Sequence, residues 1–199
     1  MKHILSIAYS SDNLNFDQVI VLDPHSDVTE ALLKNVYIIE QFEGLMSFKD
    51  KVNLPNYDFL VSPDAGALKK VAKCAKALGK PHIEAFKIRE INTNKILKTS
   101  VNANKEELEG KSVLIVDDIG EYFSTHRELA KMLKEDYGVQ KVDLYISHAV
   151  APLNLRINPP SRFNFILDYV DQLFCYNLWS IDGNNEHQSN PKIKFKYLV

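Results

Sequence analysis

Two adjacent carboxylates, Asp117 and Asp118, follow directly on the apolar run Val113-Leu-Ile-Val116. Ser124 and Thr125 stand a few residues further on, where a helix is expected to open. Acids at the C-terminal end of a buried strand, beside a helix N-terminus, suit an anionic sugar or nucleotide. The helix end attracts phosphate, and the acids bind ribose hydroxyls or a hydrated metal ion. Three further stretches carry groups of matching chemistry. His25 lies in the polar loop Asp23-Pro-His-Ser-Asp27 after Val19-Ile-Val-Leu22, and Asp64-Ala-Gly66 lies in the loop after Phe59-Leu-Val61. Gly66 permits close backbone approach there, while the following helix turns its positive end towards the loop. Lys87 and Arg89 alternate on an extended segment, which projects two cations to one side. Each group also has a plainer reading. His25 caps the turn after Pro24, Asp64 is a helix N-cap, Lys87 and Arg89 are an exposed basic hairpin face, and Asp117 and Asp118 simply end a strand.

The elements that must position these groups read as alternating strands and helices. The continuous apolar, β-branched run 19–22 is expected to be a strand buried on both faces, 59–61 and 113–116 to be further buried strands, and 142–146 the next strand. A helix is expected from Leu68 to a stop at Gly79, with Leu68, Val71, Ala75 and Leu78 inward and Lys69, Lys70, Lys73 and Lys76 on a solvated face, Lys69 and Lys70 nearest any ligand at the loop. A second is expected over about 125–137, with Leu129, Met132 and Leu133 buried, a capping box at Thr125-His-Arg-Glu128 and a stop at Gly138. A short helix over 28–34, a strand at 36–39, paired strands at 82–88 and 95–101 and strands at 173–179 and 193–198 complete the pattern. Residues 42–51 read as helical or irregular, 54–56 as a linker, 104–110 as a polar connector, and 152–160 and 180–191 as loop. This is an α/β chain with a mostly parallel sheet flanked by helices. Its ligand belongs outside the carboxyl ends of the strands, where loops 23–27, 62–66, 117–125 and 147–149 would converge.

Bulk properties narrow the function classes. The 199 residues carry a net charge of -2, which gives no reason to expect nucleic acid as a partner. No apolar run approaches the roughly 18 residues of a membrane span, and the N-terminus lacks a signal-peptide pattern. Cytoplasmic residence is the expectation. Cys74 and Cys175 fit neither a disulfide framework nor a zinc site.

Two families write a strand like Val113-Leu-Ile-Val-Asp-Asp118. It resembles the opening of response-regulator receiver domains, with Phe165-Ile-Leu-Asp168 as a superficial phosphoacceptor strand, but too little chain follows Asp168 to complete such a domain. The second resemblance covers more. Val21-Leu-Asp-Pro-His-Ser-Asp27, Val61-Ser-Pro-Asp-Ala-Gly66 and Val113-Leu-Ile-Val-Asp-Asp-Ile119 occur in the order found in ribose-phosphate pyrophosphokinases, and small phage-type members look most similar. This resemblance implies a type I phosphoribosyltransferase-like fold. It also implies Mg²⁺-dependent transfer of diphosphate from ATP to ribose 5-phosphate, giving phosphoribosyl pyrophosphate for nucleotide biosynthesis. By the same resemblance His25 would be a metal ligand, Asp64, Ala65 and Gly66 would hold diphosphate, and Lys87 and Arg89 would be catalytic. Asp117, Asp118, Ser124 and Thr125 would bind the ribosyl substrate.

The chain departs from that family in two places. Members carry most of a domain before the Asp-Pro-His motif, whereas 22 residues precede Asp23 here. Residues 1–56 are therefore expected to be the remnant of a preceding domain, N-terminally truncated, and 57–199 one phosphoribosyltransferase-like domain. The loop after the acids reads Gly120-Glu-Tyr-Phe-Ser-Thr125, with Tyr122 and Phe123 where small residues are usual. Three readings stay open: an active synthetase that forms a homo-oligomer, a lapsed homologue that partners an intact synthetase, or a diphosphokinase for a larger ribosyl substrate such as ADP-ribose. In the last, Tyr122 and Phe123 would offer stacking surface.

Overall fold

The computed structural model describes residues 16–48, 56–89, 96–150, 166–179 and 191–195. The loops expected at 152–160 and 180–190, and the end of the last strand, lie outside them. A small parallel pair comes first, β1 (Val19–Leu22) with β2 (Val36–Ile39), joined through the short helix α1 (Val28–Leu32). Helix α2 (Gln41–Met46) follows, opened by a reciprocal capping box between Glu40 and Glu43. The main sheet has seven strands in the order β5-β4-β3-β6-β7-β8-β9. These are β3 (Phe59–Ser62), β4 (His82–Arg89), β5 (Ile96–Val101), β6 (Ser112–Gly120), β7 (Lys141–Val150), β8 (Gln172–Trp179) and β9 (Ile193–Phe195). Only the β4–β5 pair is antiparallel. Helices α3 (Leu68–Leu78) and α5 (Ser124–Glu135) cover opposite faces, and α4 (Lys105–Leu108) is a single turn.

β6 shows why an unbroken apolar run becomes a central strand. Val113 and Ile115 enter the core under α5, while Leu114 and Val116 enter the one under α3, and all four are fully buried. Burying such side chains favours folding by roughly 1.5–3 kcal/mol each. The second core also takes in Leu45 and Phe48, so α2 packs on the main sheet beside Leu60, Tyr145 and Phe174. Gly44 allows this approach, since a Cβ there would lie 2.5 Å from the Tyr145 hydroxyl oxygen. Cys74 and Cys175 are free and buried, and burial pushes both thiols up to about 12.

Several local expectations need correction. β1, expected to be buried on both faces, leaves Ile20 51% exposed and Val19 and Val21 half-buried. The polar connector 104–110 contains α4, which opens with its own Asn104–Glu107 capping box. Thr125 does not start a capping box. The N-cap is Phe123, in the left-handed region at φ 55° and without a side-chain cap. Residues 117–120 and 147–149 are strand rather than loop, because β6 and β7 stay paired as far as Gly120 and Ala149. Lys70, assigned to the solvated face of α3, is turned into a polar cluster with its side chain 22% exposed.

Candidate functional site

The parallel strands deliver their C-terminal ends to one edge of the sheet, and β1 delivers its own end to the same place. Asp23, directly after β1, adopts φ 40°, a conformation that Asp tolerates better than most residues. Its side chain is 2% exposed and fully engaged. Oδ1 accepts the Lys70 ammonium at 2.8 Å. Oδ2 accepts the Gln41 side-chain amide at 2.9 Å and also the Ser147 hydroxyl. The Lys70 ammonium further donates to the Pro24 carbonyl at 2.8 Å and to Asp118 Oδ2 at 2.9 Å. That same Asp118 oxygen lies 2.9 Å from His25 Nδ1, which must be the donor because a carboxylate only accepts. His148 Nε2 donates to the Leu22 carbonyl at 2.9 Å and fastens β7 to the end of β1.

Charge follows from this arrangement. Burial opposes ionisation of Asp118, but the bonds from Lys70 and then His25 outweigh it and hold the carboxyl below its usual range. Burial likewise disfavours the charged form of Lys70, and Asp23 and Asp118 overcome it, raising the ammonium above its usual value. The ion pair, acting against burial, keeps Asp118 and Lys70 ionised at neutral pH.

The second acid has a different partner. Asp117 Oδ2 lies 2.8 Å from Nε2 of His126, on the first turn of α5, and Asp117 Oδ1 accepts the Asp118 N–H at 2.9 Å. His126 is 6% exposed on its side chain, and its Nδ1 is buried without a hydrogen-bond partner. Asp117 is thereby held in one plane with an edge still open, at 17% exposure.

The other expected site residues fall around this centre. Ser124 and Thr125 begin α5, as required of groups beside a helix end, Ser124 exposed and Thr125 half-buried. Asp64, Ala65 and Gly66 are exposed, and Asp64 Oδ1 accepts the N–H groups of Gly66 at 2.9 Å and Ala67 at 3.2 Å. The N-cap of α3 is Ala67, without a side-chain cap, so Asp64 closes the turn before the helix and is not the N-cap expected of it. Lys87 and Arg89 lie on β4, whose ladder with β5 shifts register between Ile88 and Arg89, and their side chains lie outside the described residues. Phe123 is 2% exposed and packs over Gly120, so the stacking surface expected of it is absent. Tyr122 is 53% exposed and keeps that capacity.

Asp23, Gln41, Lys70, His126 and Ser147 belong to the site although the sequence did not single them out as site residues. Asp23 carried a signal, as the first residue of Asp-Pro-His. Lys70 carried one too, by its place at the start of α3 near the loop, whereas the others sit on helices and strands whose periodicity gives no hint of a polar role. For a metal, His25 fits as a single ligand. Its Nδ1–H is fixed on a carboxylate and its side chain is 82% exposed, an arrangement that leaves Nε2 to bind. Among the described residues no group of three or more His, Cys, Asp or Glu could hold a metal ion. A Mg²⁺ ion at His25 would keep water and substrate phosphates as its remaining ligands, which this ion prefers.

No family model matches the chain. It is similar to the ribose-phosphate pyrophosphokinase of Pyrococcus abyssi, 29% identical over 141 residues, covering 69% of this chain and 46% of that one. It is 28% identical over 146 residues to the enzyme of the same name from Porphyromonas gingivalis, covering 71% and 44%. The chain thus spans less than half the length of these curated relatives. In fold it resembles the crystal structure of phosphoribosylpyrophosphate synthetase from Mycobacterium smegmatis, with a TM-score of 0.75 at 19% identity over 98% of this chain and 59% of that one. With a phosphoribosyltransferase-like sheet and the three motifs at its carboxyl edge, the chain is a relative of the ribose-phosphate pyrophosphokinases.

Proposed function

We propose that this chain is a diphosphotransferase of the ribose-phosphate pyrophosphokinase type, moving the β,γ-diphosphoryl group of ATP to the 1-hydroxyl of a ribosyl phosphate. The observation that carries this reading is the meeting of His25 and Asp118, from motifs 93 residues apart, beside Asp117 and the start of α5. Asp117, fixed by His126 and the Asp118 N–H, would accept hydrogen bonds from ribose hydroxyls and orient the attacking oxygen. Ser124, Thr125 and the α5 N-terminus would receive the acceptor's phosphate. The Asp64-Ala-Gly66 turn would hold diphosphate, once Asp64 gives up the N–H groups of Gly66 and Ala67 to the anion. Lys87 and Arg89 would stabilise charge on the transferred group. Bound Mg²⁺ would supply further neutralisation of the phosphates, with His25 holding it. Positioning of this kind is the main source of rate in phosphoryl transfer.

Residues 1–56 belong in this reading to a preceding phosphoribosyltransferase-like unit, and the protein works as a homo-oligomer or together with an intact synthetase. The setting is cytoplasmic nucleotide biosynthesis. The test is release of AMP from Mg²⁺, ATP and ribose 5-phosphate by purified protein, with Lys87→Ala as control. No AMP above that control would refute the reading for this acceptor. The exposed Tyr122 ring favours a second reading, in which the acceptor is larger and carries a group that stacks, such as ADP-ribose. AMP release with ADP-ribose but not ribose 5-phosphate would select it. Silence with both acceptors, joined to co-purification with an intact synthetase, would mark a lapsed partner instead.

A further inference from the structure

Oxygens of Asp23, Asp118 and the Pro24 carbonyl converge on one acidic recess of the kind that attracts a divalent cation, but its centre is taken. The Lys70 ammonium lies 2.8 Å from Asp23 Oδ1, 2.9 Å from Asp118 Oδ2 and 2.8 Å from the Pro24 oxygen. An ammonium has three protons, and these three acceptors use all of them. Two buried carboxylates this close cannot both stay ionised without a cation between them. Other contacts fix the recess from outside: Gln41 and Ser147 on Asp23 Oδ2, and His25 on Asp118 Oδ2. Lys70 comes from α3, and the neighbouring Lys69 and Lys73 pair with Asp27 and Glu40 on the arm, at the rim.

We propose that Lys70 is a built-in cation, occupying between Asp23 and Asp118 the position a divalent metal would otherwise take, so that metal reaches this site only at its exposed His25 side. The recess needs one positive charge to bring β1, α3 and β6 together, and a tethered ammonium provides it whether or not Mg²⁺ is present. A divalent ion would have to displace an ammonium that already has three acceptors. Without Lys70, the same oxygens would be left to a divalent ion and its waters.

The experiment is to soak crystals of wild type and Lys70→Ala in Mn²⁺ and locate the metal by anomalous scattering. Calorimetric Mn²⁺ titrations of both proteins in solution accompany it. Wild type should show no anomalous peak within bonding distance of both Asp23 and Asp118. Lys70→Ala should show one there, with Mn²⁺ bound at least ten-fold more tightly. A metal bridging the two acids in wild type, with Lys70 turned out, would overturn the proposal. So would a folded Lys70→Ala protein that gains no Mn²⁺ affinity. If that variant does not fold, the wild-type soak decides. The readout is the position of the metal, so the outcome is separate from whether the chain turns over ATP.

Discussion

At the scale of single residues, the site depends on which atoms are already spoken for. Lys70 illustrates this. Its pairing should make Lys70→Met cost about 3 kcal/mol in urea denaturation at pH 7, because two carboxylates lose their partner. The pH dependence follows from the two shifts. Asp118 is held below its ordinary 3.8, so its contribution is complete above that value and is lost as pH falls through its folded pKa. Lys70 is raised above 10.5, so its contribution is complete below that value and is lost as pH rises through its folded pKa. The stability gap between wild type and Lys70→Met should therefore be widest between these limits and shrink on either side. Gly120 makes a second case. A Cβ there would lie 2.4 Å from Phe123 Cε1, so Gly120→Ala must push the ring out of the core. A melting experiment should show a loss of about 2 kcal/mol. Much of that loss should be recovered when Phe123→Leu is added, and an additive double mutant would show that the two positions do not meet.

At the scale of elements, strand and helix existence was largely legible, and the exceptions have local causes. Val113–Val116 reads as a strand buried on both faces because each successive side chain enters a different core. Leu68–Leu78 reads as a helix because its apolar residues recur on one face, and Gly79 ends it at φ 63° as expected. The start of α5 misled the reading of Thr125, since Phe123 supplies the turn by adopting a strained φ that its buried ring sustains. The fate of Lys70 was hidden for a related reason. Periodicity places it with Lys69, Lys73 and Lys76, and only the arm folded over α3 makes one of the four different. Docking of that arm relies on Gly44 against Tyr145. Gly44→Ala should cost about 2 kcal/mol and expose α2 to limited proteolysis before the main sheet is cut. Simultaneous loss of both parts would mean that the arm has no independent opening.

At the scale of the molecule, stability is unevenly spread. β6 and β7 sit between neighbours on both sides, whereas β1 and β2 pair only with each other among the described residues. Amide hydrogen exchange should accordingly be slowest in β6 and β7 and about ten-fold or more faster in β1 and β2. Uniform protection would contradict this order. The sequence by itself determined the alternation of strands and helices, the parallel class of the sheet, and the family, because these rest on runs and motifs a few residues long. Only the tertiary structure decided which charges meet. Lys70 and Asp118 are 48 residues apart, His25 and Asp118 are 93, and Asp23 and Ser147 are 124. No local pattern encodes such pairings. They arise because parallel strands with helical crossovers bring their carboxyl ends to one edge, where burial forces each polar group to find a partner.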